Sequence, residues 1–552
     1  MSDRKVLICS AWPYAYDMMH LGNLVGCLLS GDVFERFYRL KGCDVVHVSG
    51  SDMHGTRTEF EALKRGVAPE TIAKKTHEAI VKVLEGFQVE MENYTTTSTV
   101  THRAFVQQLY SQAQANGYIT ARDEQRAFCQ VDHVFLADSF IEGTCPKCQA
   151  DGAKGNQCEA CGALLEPEEL IEPSCTLCGQ AQVAFKSTRA WYLDLDKLQP
   201  QLQSYIDAHP EWEGNVRHFT RQMLDEGLQP RAVTRDLKWG IPAPFEGAEG
   251  KVIYVWAEAA LGYVSATQEH FERLGTPERF DDFWRNPEAK HVYTQGKDNI
   301  AFHTLFFPGQ LLASQQGYHL PDQFSAVEYL QWIGGAKFSK THNVGIFCDE
   351  ALELMDPSYW RFYLISVRPE RKDVAFSWED VDNAVNGTLN NNVLNLIYRV
   401  VSLAHKRTQG CIPDAEPDPE IVEAVAQTAR KVEATVEAGS LAPAVRQIVQ
   451  LAVLGNAYVQ RVQPWKEGQS HTLSGALHLA KALAVLLEPF VPRIAHKARA
   501  MFNLDEERLD YEEVARVRRG HELGQAQPLF EKLDIDELKA RYDALKAPKR
   551  DA

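Results

Sequence analysis

The chain has 552 residues, 45% of them hydrophobic and 24% charged, which is material for several cored domains and excludes a disordered or fibrous polymer. Its net charge of −17 argues against a large non-specific nucleic-acid binder, so any nucleic-acid contact must be a local, shaped groove on an acidic body. No stretch approaches the roughly 18 uninterrupted apolar residues of a membrane span, and MSDRK leads into a strand-like segment without a secretory core, so a cytoplasmic protein with no membrane contact is expected.

In chain order, KVLICSAW reads as a buried strand, GNLVGCLLSGDVFERFYRLKG as an amphipathic helix closed by Gly42, and CDVVHVSGSD as a second buried strand. Such a β-α-β opening implies a parallel sheet. From about Gly117 to Arg235 the texture changes: Cys and Gly are frequent, long periodic helices are few, and the stretch reads as an insertion. Strand-like and helix-like segments alternate again from KVIYVWAEAALGYVSA to DQFSAVEYLQWI, as the second half of the same sheet. Beyond about Asp380 the pattern is almost wholly helical.

Two short motifs fall where chemistry is expected. His20, Gly22 and Asn23 sit where the first strand hands over to its helix, and open parallel sheets bind ligands beyond the carboxyl ends of their strands. A helix amino terminus there offers unpaired N–H groups to phosphate. GGAKFSKTHN, after the last strand-like segment, puts Lys337, Ser339 and Lys340 on a Gly-rich loop suited to closing on developing phosphoryl charge. Read alone, each is also compatible with a plain helix cap and a solvated basic loop.

Together, H-x-G-N and K-F-S-K-T resemble the split signature of class I aminoacyl-tRNA synthetases. PYAYDMMHLGN, GSDMHGT, DLKWGIP, VIYVWAEAALGY, GKDNIAFHTLFFP, GAKFSKT and GNAYVQRVQPW, in that order, are similar to the methionyl-tRNA synthetases over nearly the whole chain. The resemblance implies an α/β Rossmann-type catalytic domain in two halves, 1–117 and 236–330, around a zinc-binding connective insertion, 118–235. It further implies a stem-contact region at 331–379 that includes the lysine loop, and a helical anticodon-binding domain at 380–552.

The implied activity is activation of methionine with MgATP, then transfer to the terminal adenosine of tRNA(Met), both initiator and elongator. The family's roles fall on matching positions. His20, Gly22 and Asn23 would hold the ATP phosphates, and Lys337 and Lys340 would stabilise the pentacovalent phosphorus and departing pyrophosphate. Ser339, Gly296, Lys297, Asp298 and Phe302 would bind adenylate. Asp52 would take the substrate ammonium, a charge-assisted contact, although it could instead cap the helix starting near Thr56.

Trp12, Tyr14, Trp256, Ala260, Tyr263 and His303 would line the methionine pocket, where aromatic faces suit a soft sulfur. Trp256 and Tyr263 read without the resemblance are core residues. Arg235 matches an active-site arginine. Asn395 and Arg399, four apart on one helix face, together with Trp465, match positions that read the anticodon by hydrogen bonding and stacking. A packed core tryptophan is the alternative for position 465. No β-rich OB-like domain follows, so a monomer is expected.

Seven of the twelve cysteines lie between Cys129 and Cys178. Cys145-x-x-Cys148 and Cys158-x-x-Cys161 have the spacing of two zinc knuckles supplying one four-thiolate site. Cys175-x-x-Cys178 is a third knuckle, and two-zinc relatives imply a partner pair at Cys129 and His133, giving a second site of three thiolates and one imidazole. Redox dithiols or disulfides are the alternatives, disfavoured by a reducing cytosol. Both zinc sites would be structural.

Two rival readings stay open. Trp12 stands where the family usually has leucine and Ala260 where proline is common, so a paralogue with a different amino-acid preference or an inhibitor-tolerant duplicate is one. In the methionine reading, the smaller Ala260 is expected to return the volume that the indole takes. The other rival is a non-catalytic tRNA-binding protein on a synthetase scaffold, against which the intact His20, Lys337 and Lys340 argue.

Overall fold

The fold is that of a computed structural model, which describes residues 4–136, 140–155, 158, 160–161, 165, 167–340, 343–466, 468–504 and 509–547. Five strands, β1 (Lys5–Ser10), β2 (Asp44–Ser51), β3 (Asn93–Thr96), β4 (Lys290–Gly296) and β5 (Gln323–Val327), form one parallel sheet. Their order is β5-β4-β1-β2-β3. The central strands are buried along almost their whole length, as a sheet covered on both faces requires.

The chain builds β1, β2 and β3 outward in one direction, then returns after the insertion to lay β4 on the other side of β1, with Val6 opposite Lys290. Strand order therefore reverses between β1 and β4. In an open α/β sheet that reversal opens a crevice beyond the carboxyl ends of the strands. The expected α/β class with a central parallel sheet and a helical carboxyl-terminal region is the architecture found.

Among the described residues, the segment between β3 and β4 carries two small antiparallel sheets and a two-stranded antiparallel pair, Thr234–Arg235 with Val252–Ile253. In one of the sheets, Ile119–Cys129 and Val183–Leu193 pair along their full length, flanked by Val134–Phe135 and Arg231–Ala232. The other joins Ala153–Lys154, Ile141–Thr144 and Ile171–Cys175. The scarcity of helices expected here is corrected: Leu195–Asp207 and Gly214–Asp225 are helical. Leu195, Leu198, Leu202 and Ile206 supply the first with a buried stripe at helical spacing, and this packing carries the helix through Pro200.

The helical region centres on Ser470–Leu486, a helix buried on every side from Thr472 to Leu486 and surrounded by Asn395–Arg407, Pro419–Glu437 and Leu441–Val462. A last helix, Ile535–Lys546, leaves this bundle and returns to the lysine loop, a turn of the chain the helical pattern of 380–552 did not disclose. Lys546 Nζ donates to both oxygens of Glu350 at 2.6 and 2.7 Å, and Asn343 Nδ2 donates to the Lys546 carbonyl at 3.2 Å.

One buried arginine ties the parts together. Arg361, in the helix Pro357–Ser366, is wholly excluded from solvent and donates to the Asp32 carboxylate at 2.5 Å. It also donates to the carbonyls of Phe87, Gln88, Pro489 and Phe490. Asp32 lies on Leu29–Leu40, the helix that follows β1, so one guanidinium joins the helix packed on the parallel sheet, the segment that follows the sheet and the helical bundle. The flanking Arg361 and Arg36 guanidiniums outweigh the effect of burial and hold the Asp32 carboxyl below its usual range.

Removing one partner of such a pair strands a buried charge, at a cost of about 3–5 kcal/mol. Arg361→Met is therefore expected to lower the unfolding free energy, measured by denaturant titration, by an amount of that order. A variant within about 1 kcal/mol of the parent would show that the pair contributes no more than a surface ion pair.

Candidate active site and metal centres

A cavity of about 700 Å³ opens at the strand-order reversal. Its walls come from the turns after β1, β2, β4 and β5, so side chains distant in sequence converge there. Trp12, Tyr14, His20, Gly22, Asn23, Asp52, Trp256, Ala260, Tyr263, Gly296, Asp298, Phe302, His303, Ser339 and Lys340 all line it. Arg235 and Lys337 do not. Arg235 lies over the Tyr254 ring at 3.9 Å, and Lys337 is exposed on the loop.

His20 caps the helix that begins at Leu21. Its Nδ1 accepts from the N–H groups of Gly22 at 3.1 Å and Asn23 at 3.3 Å, which leaves Nε2–H as the ring's donor. Burial lowers its pKa to about 4, so at neutral pH the imidazole donates without carrying charge. The Asn23 carbonyl oxygen accepts the His20 N–H, and the amide keeps its amino group as a further donor. The helix continues through a π-helical stretch, Leu24–Leu28; a second one, Phe302–Phe306, carries His303. Such wide turns often mark functional sites because they shift side chains out of the regular helical register.

On the opposite wall, the backbone of Asp52 is pinned between Pro13 and Ala15 by two bonds of 2.8 Å. Its Oδ1 is buried and makes no hydrogen bond among the described residues. Burial, then the nearby Glu258 carboxylate, push the Asp52 pKa well above the usual range. His303 donates from Nδ1 to the Asn299 carbonyl at 2.9 Å and accepts the Tyr263 hydroxyl at Nε2, 2.8 Å away. Burial lowers the His303 pKa to about 4, so the floor is neutral. Trp256 stacks on Phe302 at 4.4 Å and meets Tyr14 edge-on at 5.9 Å, completing an aromatic compartment.

Trp12 is accommodated differently from expectation. A Cβ added at Gly262 would come 2.5 Å from Trp12 Cζ2, and one at Gly50 would come 2.4 Å from Cζ3. The benzo edge of the indole thus lies in a slot between two residues that lack side chains, where it meets Tyr263 edge-on at 6.4 Å. Space for the ring is made at Gly50 and Gly262.

Sequence reading missed several residues. Asp17 holds Lys340 at 2.5 Å, and Phe338 stacks on the His20 ring at 4.6 Å. Behind Asp52, the buried Glu258 accepts from His54 Nδ1 at 2.6 Å. Asp17, His54, Glu258 and Phe338 all lie inside the quoted motifs, but none has a spacing that marks it.

Among the described residues, two groups of metal-type donors lie in the insertion. Cys145, Cys148, Cys158 and Cys161 converge as the knuckle spacing predicts. The second group is Cys129, Cys175, Cys178 and Asp132, which corrects His133. His133 takes a left-handed backbone, φ 56°, and is exposed, while the carboxylate one residue earlier meets the thiols. The available signal was Cys129-x-x-Asp132, knuckle spacing with a carboxylate at its end. In the bundle, Asn395 and Arg399 lie in the helix Asn395–Arg407, and half-buried Trp465 follows Pro464 with its carbonyl accepting from Arg407.

Two sequence families match. One, described as tRNA synthetases class I (M), spans residues 6–401, and the other, the anticodon binding domain of methionyl tRNA ligase, spans 411–549. The methionine–tRNA ligase of Thermofilum pendens is 43% identical over 98% of this chain and 97% of its own. That of Pyrobaculum calidifontis is 42% identical over 99% and 97%. In fold, the chain resembles Mycobacterium tuberculosis methionyl-tRNA synthetase, solved in complex with methionyl-adenylate, with a TM-score of 0.79 at 21% identity over 96% of this chain and 99% of that one. The chain belongs to the methionyl-tRNA synthetase family of class I tRNA synthetases.

Proposed function

We propose that this chain is a methionine–tRNA ligase that activates methionine with MgATP and passes it to the initiator and elongator tRNA(Met). The observation that carries the reading is a single cavity in which His20, Asn23 and Lys340 face a neutral aromatic compartment and one buried carboxylate.

Asp52 takes the substrate ammonium, and Trp12, Tyr14, Trp256, Ala260, Tyr263 and His303 surround the thioether. A methionine carboxylate oxygen attacks the α-phosphorus of ATP; the bond to the bridging oxygen breaks and pyrophosphate leaves. His20 Nε2–H, the Asn23 amide and Lys340 donate to the phosphate oxygens as charge develops, with Gly22, Gly296, Asp298, Phe302 and Ser339 around the nucleotide. Lys337 joins them when the loop closes, and Arg235 serves as the active-site arginine at the insertion's return. The terminal adenosine hydroxyl of tRNA then attacks the activated carbonyl carbon, its proton passes to solvent, and AMP departs. Asn395, Arg399 and Trp465 read the anticodon. The thiol clusters hold structural Zn²⁺, and the protein acts as a cytoplasmic monomer.

Methionine-dependent pyrophosphate exchange tests this reading. Lys340→Ala is expected to lower the exchange rate by about two to three orders of magnitude while methionine affinity stays within about twofold. Equal loss of both would remove Lys340 from transition-state stabilisation. A parent enzyme that exchanges with another amino acid would favour the paralogue, and one that does not exchange would favour a binding protein.

The Asp52 pKa has a measurable consequence. Burial, then the nearby Glu258 carboxylate, raise the Asp52 pKa, and a bound ammonium lowers it again, so methionine binding releases a proton at a pH near the raised value and tightens as pH rises through it. Calorimetry in buffers of differing ionisation enthalpy, repeated across pH, should show a release that grows as pH falls towards that value. Asp52→Asn should abolish it and weaken binding by about 1.5–3 kcal/mol. Proton uptake on binding would contradict the assignment.

The indole slot is tested by rescue. Gly262 has ordinary helical backbone angles, so Gly262→Ala adds no backbone strain but presses its Cβ on the Trp12 ring and should raise the KM for methionine. Trp12→Leu alone should loosen binding by about 1–3 kcal/mol through lost packing. In the double variant the two effects should partly cancel. Strict additivity would show that the two side chains do not compete for space.

A further inference from the structure

Resting on the zinc reading above, we propose that Asp132 is the fourth donor of the second site, and that this carboxylate makes it the exchangeable one of two unequal zinc sites. Cys129-Gln-Val-Asp132 reproduces the spacing of Cys145-x-x-Cys148, and both turns aim a backbone N–H at the first sulfur. Asp132 N donates to Cys129 Sγ at 3.3 Å, and Lys147 N donates to Cys145 Sγ at 3.4 Å.

The donors are already spaced for the ion. Around tetrahedral zinc, thiolates at about 2.3 Å lie about 3.8 Å apart, and a thiolate and a carboxylate oxygen about 3.5 Å apart. In the four-thiol cluster, Cys145 and Cys161 are separated by 3.9 Å and Cys148 and Cys158 by 3.6 Å. In the second cluster, Cys129 Sγ lies 3.6 Å from Cys178 Sγ and 3.3 Å from Asp132 Oδ2, and Cys175 Sγ lies 3.7 Å from the same oxygen. Three sulfurs with one oxygen also disfavour Mg²⁺ or Ca²⁺, which require oxygen shells.

Exposure does not separate the two sites. Cys148 and Cys161 are exposed in the first, as Asp132 is in the second, while Cys129, Cys145, Cys158 and Cys175 are buried. Donor chemistry does separate them. A carboxylate is a harder ligand than a thiolate and binds zinc less firmly beside three sulfurs, so a competing chelator enters at the Asp132 corner. The sites also do different structural work. The four-thiol cluster lies within the segment of the three-stranded sheet, whereas the second pins the turn after Ile119–Cys129 to the end of strand Ile171–Cys175, joining the two sheets.

The test follows zinc release from the full-length protein to a chromogenic chelator, with total zinc by elemental analysis and folding by circular dichroism. The parent should hold about two ions per chain and release them in two phases of equal size. Asp132→Cys should slow the faster phase at least tenfold and strengthen the thiolate-to-metal absorption of the cobalt-substituted protein. Asp132→Ala should retain about one ion, and His133→Ala should behave as the parent. A single release phase in the parent, or loss of an ion from His133→Ala but not from Asp132→Ala, would overturn the proposal while leaving two zincs in place. A parent content of one ion would overturn the two-zinc reading itself.

Discussion

The arrangement of this protein depends on the Arg361 guanidinium. Its five N–H groups meet one carboxylate and four backbone carbonyls contributed by three separate parts of the chain. A planar, permanently charged fork suits this place: it satisfies several acceptors at fixed angles, and neither burial nor pH discharges it. Asp32 answers that charge from the helix whose other end begins at the His20 motif, so the clamp that seats the helical bundle also sets the entrance of the cavity. Arg36 extends it, pairing with Asp32 at 3.0 Å and reaching Glu488 at 3.8 Å.

The cavity follows a different electrostatic rule. Its two histidines are neutral because burial disfavours their charged forms, and each is held in one tautomer by a backbone contact. Asp52 is the buried acidic group of the cavity, and its Oδ1 makes no hydrogen bond among the described residues. Positive charge at the cavity is carried by Lys340 on a loop, held at the rim by Asp17, and by the exposed Arg57, which donates to the Tyr16 hydroxyl at 3.1 Å.

That loop is joined to the far end of the chain through rings. His20 stacks on Phe338, Phe338 meets Trp332 at 5.9 Å, and Trp332 meets Tyr542 at 5.3 Å. Tyr542 belongs to the last helix, whose Lys546 anchors Glu350 just beyond the loop. His20, the lysine loop and the returning carboxyl-terminal helix therefore share one continuous packed contact.

Much of this was legible in the sequence. Apolar runs marked the parallel strands, the ordered motifs marked the family, and two C-x-x-C pairs marked a four-thiol cluster, because each is a local pattern with a local physical cause. Other features were decided only by tertiary structure. Asp132 displaced His133 because the direction of the backbone after Cys129, not residue type, chose which side chain meets Cys175 and Cys178. Gly50 and Gly262 make the Trp12 slot although they are 212 positions apart, a separation that no periodicity spans. Arg361 found its carboxylate 329 residues away. Sequence pattern determines which elements form and which chemistry they carry; the long-range contacts arise only when the buried surfaces of separate elements are brought together, since burial turns a distant Cβ, carboxylate or carbonyl into a neighbour that must be accommodated.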